Sequence, residues 1–380
     1  MNKKLLTLSF LFLTYLGVSA QDKNNPILTV VPFLTIAPDA ISGGMGDVGA
    51  ATTPTIFSQY WNPAKYVFME SDGGAAASYT PWLRRLVGEI DLVALAGYYR
   101  FAENHSVSTS FRYFSLGEIQ LLDIYGLYQG DAHPLELAWD VAYAMKLSET
   151  FSASVALRLI YSDLNNRRSG QGGGEMRPGA SVAADVAVYY RQPIEMASGT
   201  SYFSLGTNIS NIGSKMSYDR NTTSHFIPTN WRLGTSFSWA IDDYQMLSIN
   251  ADINKLLVPT PDKAKYDEDL FYYNKIGPIS GIFQSFGDAP GGFKEEMQEI
   301  MWSAGAEYAY NQQFFVRAGY FNESKFKGNR KYFTAGAGFR LTVLQLDASY
   351  VIAVANQNPL DGTIRLTLSF DVYGLQNLVK

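Results

Sequence analysis

Between residues 75 and 370 the chain alternates hydrophobic and polar positions with a period of two. Leu247, Ile249, Ala251 and Ile253 are interleaved with Ser248, Asn250, Asp252 and Asn254, and Ile364, Leu366, Leu368 and Phe370 with Arg365, Thr367 and Ser369. Leu344, Leu346, Ala348, Tyr350 and Ile352 alternate with Gln345, Asp347 and Ser349, as do Trp231, Leu233, Phe237 and Trp239 with Arg232, Ser236 and Ser238. Successive side chains of a strand point to opposite faces, so each segment has one apolar face and one wet face. The pattern predicts about fourteen strands, starting near Ala75, Ile90, Ser106, Leu137, Phe151, Gly179, Ser201, Asn230, Tyr244, Glu299, Phe314, Lys331, Leu344 and Thr363.

The connections sort by length. Tight ones fall at 102–104, 148–150, 242–243, 311–312 and 341–343, and long ones at 117–136, 163–178, 211–228 and 256–298. A soluble sandwich has no reason to sort its loops in this way. A transmembrane barrel does, with tight turns on the periplasmic rim, long loops outside, an apolar outer face and a polar lumen. The strand lengths suit the roughly 9–11 residues needed to cross a bilayer. The expected fold is therefore all-β: a transmembrane antiparallel β-barrel over residues 75–380 of about fourteen strands, whose even number places both termini in the periplasm. Trp82, Trp139, Trp231, Trp239, Trp302, Tyr308, Tyr310, Phe314, Phe315, Tyr320 and Phe321 lie near predicted strand ends, where they could form interfacial girdles.

Composition adds the compartment. Residues 1–20 read as a secretory leader, with Lys3-Lys4, an apolar stretch from Leu5 to Leu16 and Val18-Ser19-Ala20 before the cleavage point. The apolar stretch is too short to span a bilayer as a helix. The chain has no cysteine, which excludes disulfides and a lipid anchor through that residue. A net charge of −5, without a basic patch, argues against nucleic acid as a partner.

A barrel of this width needs its lumen filled. Residues 21–74 precede the first strand, lack alternation, and carry Phe33, Phe57, Tyr60, Trp61 and Tyr66, too many apolar anchors for a free tail. They are read as a plug in the periplasmic half of the barrel. Within it Gly44-Met45-Gly46-Asp47-Val48-Gly49 matches a dinucleotide fingerprint by letters, but no βαβ unit surrounds it. Close backbone packing in a crowded lumen explains the glycines better.

Catalytic chemistry has little to stand on. There is no nucleophile elbow, and His105, His133 and His225 are scattered, with no metal-ligand spacing among them. No cofactor is expected. The functional pointer is instead the connection 256–298, where Phe271, Tyr272, Tyr273, Ile276, Ile279, Ile282, Phe283 and Phe286 follow a charged opening. A connection of that length is functional or disordered, and its aromatic content speaks against disorder. It reads as a lid over the mouth or a protein-docking surface. The loop at 118–134, with Leu121-Leu122 and Leu127-Tyr128, has the same character.

Several stretches resemble one family. They are the run from Ile36 to Thr52, including Gly43-Gly44-Met45-Gly46-Asp47-Val48-Gly49, then Gln59-Tyr60-Trp61-Asn62-Pro63-Ala64-Lys65-Tyr66, Tyr79-Thr80-Pro81-Trp82-Leu83, and Arg112-Tyr113-Phe114-Ser115-Leu116-Gly117. Together they resemble the PorV family, outer-membrane barrels of the type IX secretion system related to FadL-like long-chain fatty-acid transporters. The resemblance implies a non-enzymatic role in the outer membrane of a Gram-negative bacterium. It implies docking on a large SprA-like translocon barrel, binding of the C-terminal signal domains of secreted cargo, and delivery to a surface attachment complex with a sortase-like protease. It assigns Gly43, Gly44, Gly46, Asp47, Gly49, Trp61, Asn62 and Pro63 to the plug. Two alternatives stand beside it. A FadL-like transporter of hydrophobic small molecules would need a lateral route, for which Gly97, Gly206, Gly234 and Gly336 are candidates. A lipid-A-modifying hydrolase would depend on His133 or His225.

Overall fold

The computed structural model describes residues 24–85, 88–123, 125–165, 177–219, 223–262, 273, 275–354 and 358–371. The leader at 1–20 and the chain beyond Asp371 lie outside them. Sixteen strands form: β1 (Gly73–Pro81), β2 (Asp91–Ala102), β3 (His105–Ser115), β4 (Ile119–Leu122), β5 (Tyr128–Ala132), β6 (Leu135–Lys146), β7 (Phe151–Asp163), β8 (Gly179–Met196), β9 (Gly199–Gly213), β10 (Asn230–Ala240), β11 (Gln245–Leu256), β12 (Met301–Tyr310), β13 (Phe314–Asn322), β14 (Lys331–Arg340), β15 (Leu344–Ala353) and β16 (Ile364–Asp371).

All but β4 and β5 pair antiparallel with their neighbours in chain order, and β1 closes the ring on β16 from Gly74↔Asp371 to Tyr79↔Leu366. The fourteen barrel strands begin within two residues of the positions read from alternation. Closure leaves no edge strand, which is what lets a sheet sit in lipid. Connections at 82–90, 116–134, 164–178, 214–229, 257–300, 323–330 and 354–363 share one rim, and the short ones share the other.

The faces are inverted relative to a soluble sandwich. Ile249, Leu346 and Leu366 project outward and are exposed, while Asn250, Asp252, Asp347 and Arg365 point inward and are buried. Polar groups of the outer face are paired within the wall: Trp139 Nε1 donates to Thr109 Oγ1 (3.1 Å) and Trp231 Nε1 to Thr207 Oγ1 (2.9 Å). An unpaired indole N–H would be costly there. Trp239, Trp302, Tyr310 and Phe314 face outward as expected of girdle residues. Phe315 and Phe321 do not. Each follows an outward aromatic (Phe314, Tyr320), so the period of two turns it into the lumen. There Arg317 and Arg340 lie over the Phe315 ring and Arg330 over that of Phe321.

The lumen is filled by residues 24–72, built from short helices α1 (Ala40–Gly43) and α2 (Ser58–Trp61) and the 3₁₀ turns Pro32–Thr35 and Pro63–Phe68. Its position corrects the expectation of a plug confined to the tight-turn half. Asn25 N donates to Phe326 O (3.0 Å) and Val30 N to Phe226 O (3.0 Å), both in long connections, while Arg100 N donates to Asp72 O near the opposite rim. The segment thus crosses the barrel from the long-loop mouth to the tight-turn rim. Both ends of the strand ring lie on the tight-turn rim, but the first described residues lie at the other. The cause is apolar burial: Val31, Phe33, Leu34 and Ile36 pack with Leu92, Phe114, Ile160, Met216 and Ile227 under the long-loop mouth.

The 116–134 connection folds into the isolated hairpin β4–β5, and the 257–300 connection carries α3 (Pro278–Gln284) and α4 (Phe293–Gln298).

Candidate functional site

The plug motif is bonded to the wall all round the barrel. Asp39 caps α1 through Ser42 N (2.8 Å) and accepts from Trp61 Nε1 (2.7 Å). Asp252 Oδ2 of β11 accepts from Gly49 N (2.8 Å) and Ala50 N (3.0 Å) and faces Arg232 at 3.4 Å. Tyr332 donates to Asp47 Oδ2 (2.6 Å), Arg232 to Asp47 O (3.0 Å), and Arg365 pairs with Asp47 Oδ1 at 3.3 Å. Asn62 Nδ2 bridges Ala50 O and Val188 O, with Pro63 beginning the next 3₁₀ turn. Lys65, fully buried, donates to Gly49 O (2.8 Å) and Thr52 Oγ1 (3.1 Å).

The glycines belong to this contact. A Cβ on Gly49 would lie 2.2 Å from the Trp61 ring, and one on Gly44 only 3.1 Å from the Cα of Gly336. Wall glycines answer from the other side: a Cβ on Gly206 would meet Ala50 O at 2.0 Å, and one on Gly234 would meet Ala50 Cβ at 2.9 Å. Gly206, Gly234 and Gly336 are therefore places where plug and wall touch. Gly97 has only Gly74 O near it, at 3.4 Å.

What remains of the interior is divided into two spaces. The space beside Asp47, Arg158, Asn208, Arg232 and Asn254 amounts to about 50 Å³. Pockets that hold organic ligands are about 300–1,000 Å³ and mostly apolar. Among the described residues the buried side-chain oxygens of Asn208 and Asn254 have no hydrogen-bond donor, which suits a few ordered waters. A second cavity of about 330 Å³ opens at the tight-turn rim, among Met45, Arg191, Tyr202, Asp242 and Arg340.

The histidines are not brought together. His105 accepts or donates at Tyr143 Oη (2.7 Å), His133 lies 3.9 Å from Glu118, and His225 pairs through its backbone with Met216. Among the described residues no serine–histidine pair forms.

The long-loop rim is built differently. The base of the 257–300 connection is stitched by buried charges: Lys255 to Glu296 (3.1 Å) and Glu299, and Lys327 to Glu295 (2.6 Å) and Glu299 (3.0 Å). Asn25 of the plug joins them through Glu295 Oε1 and Pro261 O, both at 3.0 Å. Asp288 accepts from Thr260 N, and partial burial, aided by the charges of Glu299 and Glu296, pushes its carboxyl up to about 6.

On this braced base α3 presents an apolar ridge. Gly281 is buried against Phe226 and Pro259, where a side chain would clash, so the helix shows its other faces to the outside. Ile279 is 56%, Phe283 74% and Phe286 52% exposed, joined by Phe293 at 81% and Met297 at 51%. Phe286 rests edge-on against Trp231 of the outer wall. Ile276 and Ile282 are half-buried, and Tyr273 is anchored by Pro259 O (3.0 Å) and the Phe226 ring. Phe271 and Tyr272 lie outside the described residues. Phe293 and Met297 carry no signal of their own in the sequence, because their helix is short and half of its residues are charged.

Fold and lumen together define a plugged fourteen-stranded β-barrel of the outer-membrane class. The family model described as Type IX secretion system protein PorV matches residues 19–263, and the chain belongs to that family. Among solved structures it is similar to the Pseudomonas putida toluene transporter TodX, with a TM-score of 0.53 at 9% identity over 92% of this chain and 99% of that one. A second TodX structure gives 0.54 at 8% identity, covering 87% and 97%. The CymD monoaromatic hydrocarbon channel gives 0.50 at 12%, covering 88% and 98%. At these identities the likeness is one of fold. No curated protein sequence matches the chain.

Proposed function

We propose that this barrel is a non-enzymatic subunit of type IX secretion that works at its long-loop rim rather than through its lumen. It docks on the large translocon barrel, takes the C-terminal signal domain of secreted cargo, and passes the cargo to the surface attachment complex with its sortase-like protease. The observation that carries this reading is the ridge of Ile279, Phe283, Phe286, Phe293 and Met297, held outward on a base of buried ion pairs. Large exposed aromatics in a fixed frame are the material of protein interfaces. In this reading the long loops face outside and the apolar wall is covered by outer-membrane lipid.

The lumen supports the same choice. A route for hydrophobic small molecules needs a continuous apolar chamber, whereas the space beside Asp47, Arg158 and Arg232 is about 50 Å³, with Leu34, Trp61 and Phe321 interleaved among Asn, Asp and Arg. Deletion of residues 265–286 removes α3 while leaving Lys255, Glu295, Glu296, Glu299 and Lys327 to brace the base. The variant should still insert as a heat-stable barrel, while cargo accumulates in the periplasm or on the translocon. Normal surface display of cargo would sink the assignment.

A further inference from the structure

The hairpin β4–β5 stands apart from the barrel. It prolongs the β3–β6 ribbon past the rim, after a bend at Gly117, whose φ is +79. Its ladder runs Ile119↔Ala132, Gln120↔Asp131, Leu121↔Gly130 and Leu122↔Tyr128. Among the described residues neither outer edge has a partner strand. Such an edge is a row of unused N–H and C=O groups, which barrels otherwise abolish.

Three further observations say what would complete it. The side chains are large and uncovered: Ile119 46%, Leu122 60%, Tyr125 82%, Leu127 63% and Tyr128 59% exposed. The described residues of the turn are braced by Asp123, whose Oδ1 accepts from Tyr125 N (2.8 Å) and Leu127 N (2.9 Å), and Oδ2 from Gln129 Nε2 (3.2 Å). Those bonds hold the Asp123 carboxyl below its ordinary range, so it stays charged. Finally, residues 117–132 carry Glu118, Asp123 and Asp131 and no Lys or Arg.

We propose that β4–β5 is a second docking element, which binds an extended, basic segment of a protein partner by strand addition. Main-chain hydrogen bonds along the edge would supply affinity, and alternate partner side chains would meet the exposed aromatics and the carboxylates. An anionic lipid surface is a poor occupant for the same reason that a basic strand is a good one: the hairpin's charge has one sign. The pre-ordered turn lowers the entropy lost on binding. This surface lies on a different connection from the α3 ridge and does not depend on it.

The test uses the full-length protein in detergent micelles and a synthetic peptide of alternating lysine and valine, with a backbone N-methylated version as control. Binding is read by fluorescence anisotropy of the labelled peptide. The unmodified peptide should bind, more weakly as salt rises. N-methylation should weaken it by about tenfold or more, the worth of one or two hydrogen bonds. Replacing 119–131 by two glycines should abolish binding, and the pair Glu118→Gln with Asp131→Asn should reduce it. The deletion of 265–286 should leave it unchanged, which separates this proposal from the reading of the α3 ridge. No binding, equal binding of the N-methylated peptide, or binding that survives loss of the hairpin would overturn strand addition.

Discussion

Asp252 shows how single side chains close this barrel. It lies on β11, 2% exposed, and one carboxylate oxygen holds two plug amides, Gly49 N and Ala50 N, beside Arg232. Asp252→Ala removes the acceptor that both amides share and leaves Arg232 without that partner, a change that costs about 3–5 kcal/mol when a buried pair is broken. The strand ladder needs no part of this carboxylate, so the ring should stay folded while the plug loosens. In planar bilayers the variant should show ion-conducting openings where the parent is closed. Identical silence from both would mean that the plug is held elsewhere. Alternation put Asp252 on the wet face, and that much was legible. Its partners were not, because they lie about two hundred residues away in a segment with no periodic pattern. The same limit applies to Phe315 and Phe321: aromatic type suggests a girdle, whereas parity along the strand turns both into the lumen.

At the scale of elements, the N-terminal part of the plug is the least expected piece. Its apolar anchors were visible as Phe33, Phe57, Trp61 and Tyr66, but not the height at which each packs. Strands announce their register through alternation, whereas a segment of 3₁₀ turns and single-turn helices is positioned only by what it touches. Phe33 and Leu34 found their partners under the long-loop mouth. Asn25 then ties the segment to the base of the 257–300 connection through Glu295 and Pro261, and to the 323–330 connection through Phe326. Val31 is held at φ 50, a left-handed conformation that a β-branched residue adopts only where its surroundings impose it. Leu28, 63% exposed, offers a direct test of this placement, since the chain has no other cysteine to confuse the reading. A Leu28→Cys variant should react with a membrane-impermeant maleimide on intact cells as fully as after permeabilisation. Labelling that requires permeabilisation would put this segment on the periplasmic side and contradict the assigned polarity.

For the whole molecule, the rhythm of short and long connections was the strongest signal in the sequence, and the closed ring reproduces it. The plug leaves about 50 Å³ beside Asp47 and Arg232 and a larger cavity of about 330 Å³ only at the tight-turn rim, which favours the long-loop rim as the proposed working surface. The aromatic content of residues 256–298 pointed there. Which of those residues are free could not be read, since that depends on Gly281 packing α3 against Phe226 and so fixing the helix's rotation. Ile282 and Tyr273 are consequently half-buried while Ile279, Phe283 and Phe286 are free.

The central claim is that this ridge, and not the lumen, joins the barrel to its secretion partners. It is tested most directly by the triple variant Ile279→Ser, Phe283→Ser and Phe286→Ser, purified from its own cells in mild detergent beside the parent. Exposed substitutions of this kind change folding stability by about 0.5 kcal/mol or less each, whereas an interface aromatic of the hot-spot class is worth about 2 kcal/mol or more. The variant should therefore be recovered at the parent's level, without the large translocon barrel or signal-bearing cargo that accompany the parent. Undiminished copurification of both with the variant would contradict the account.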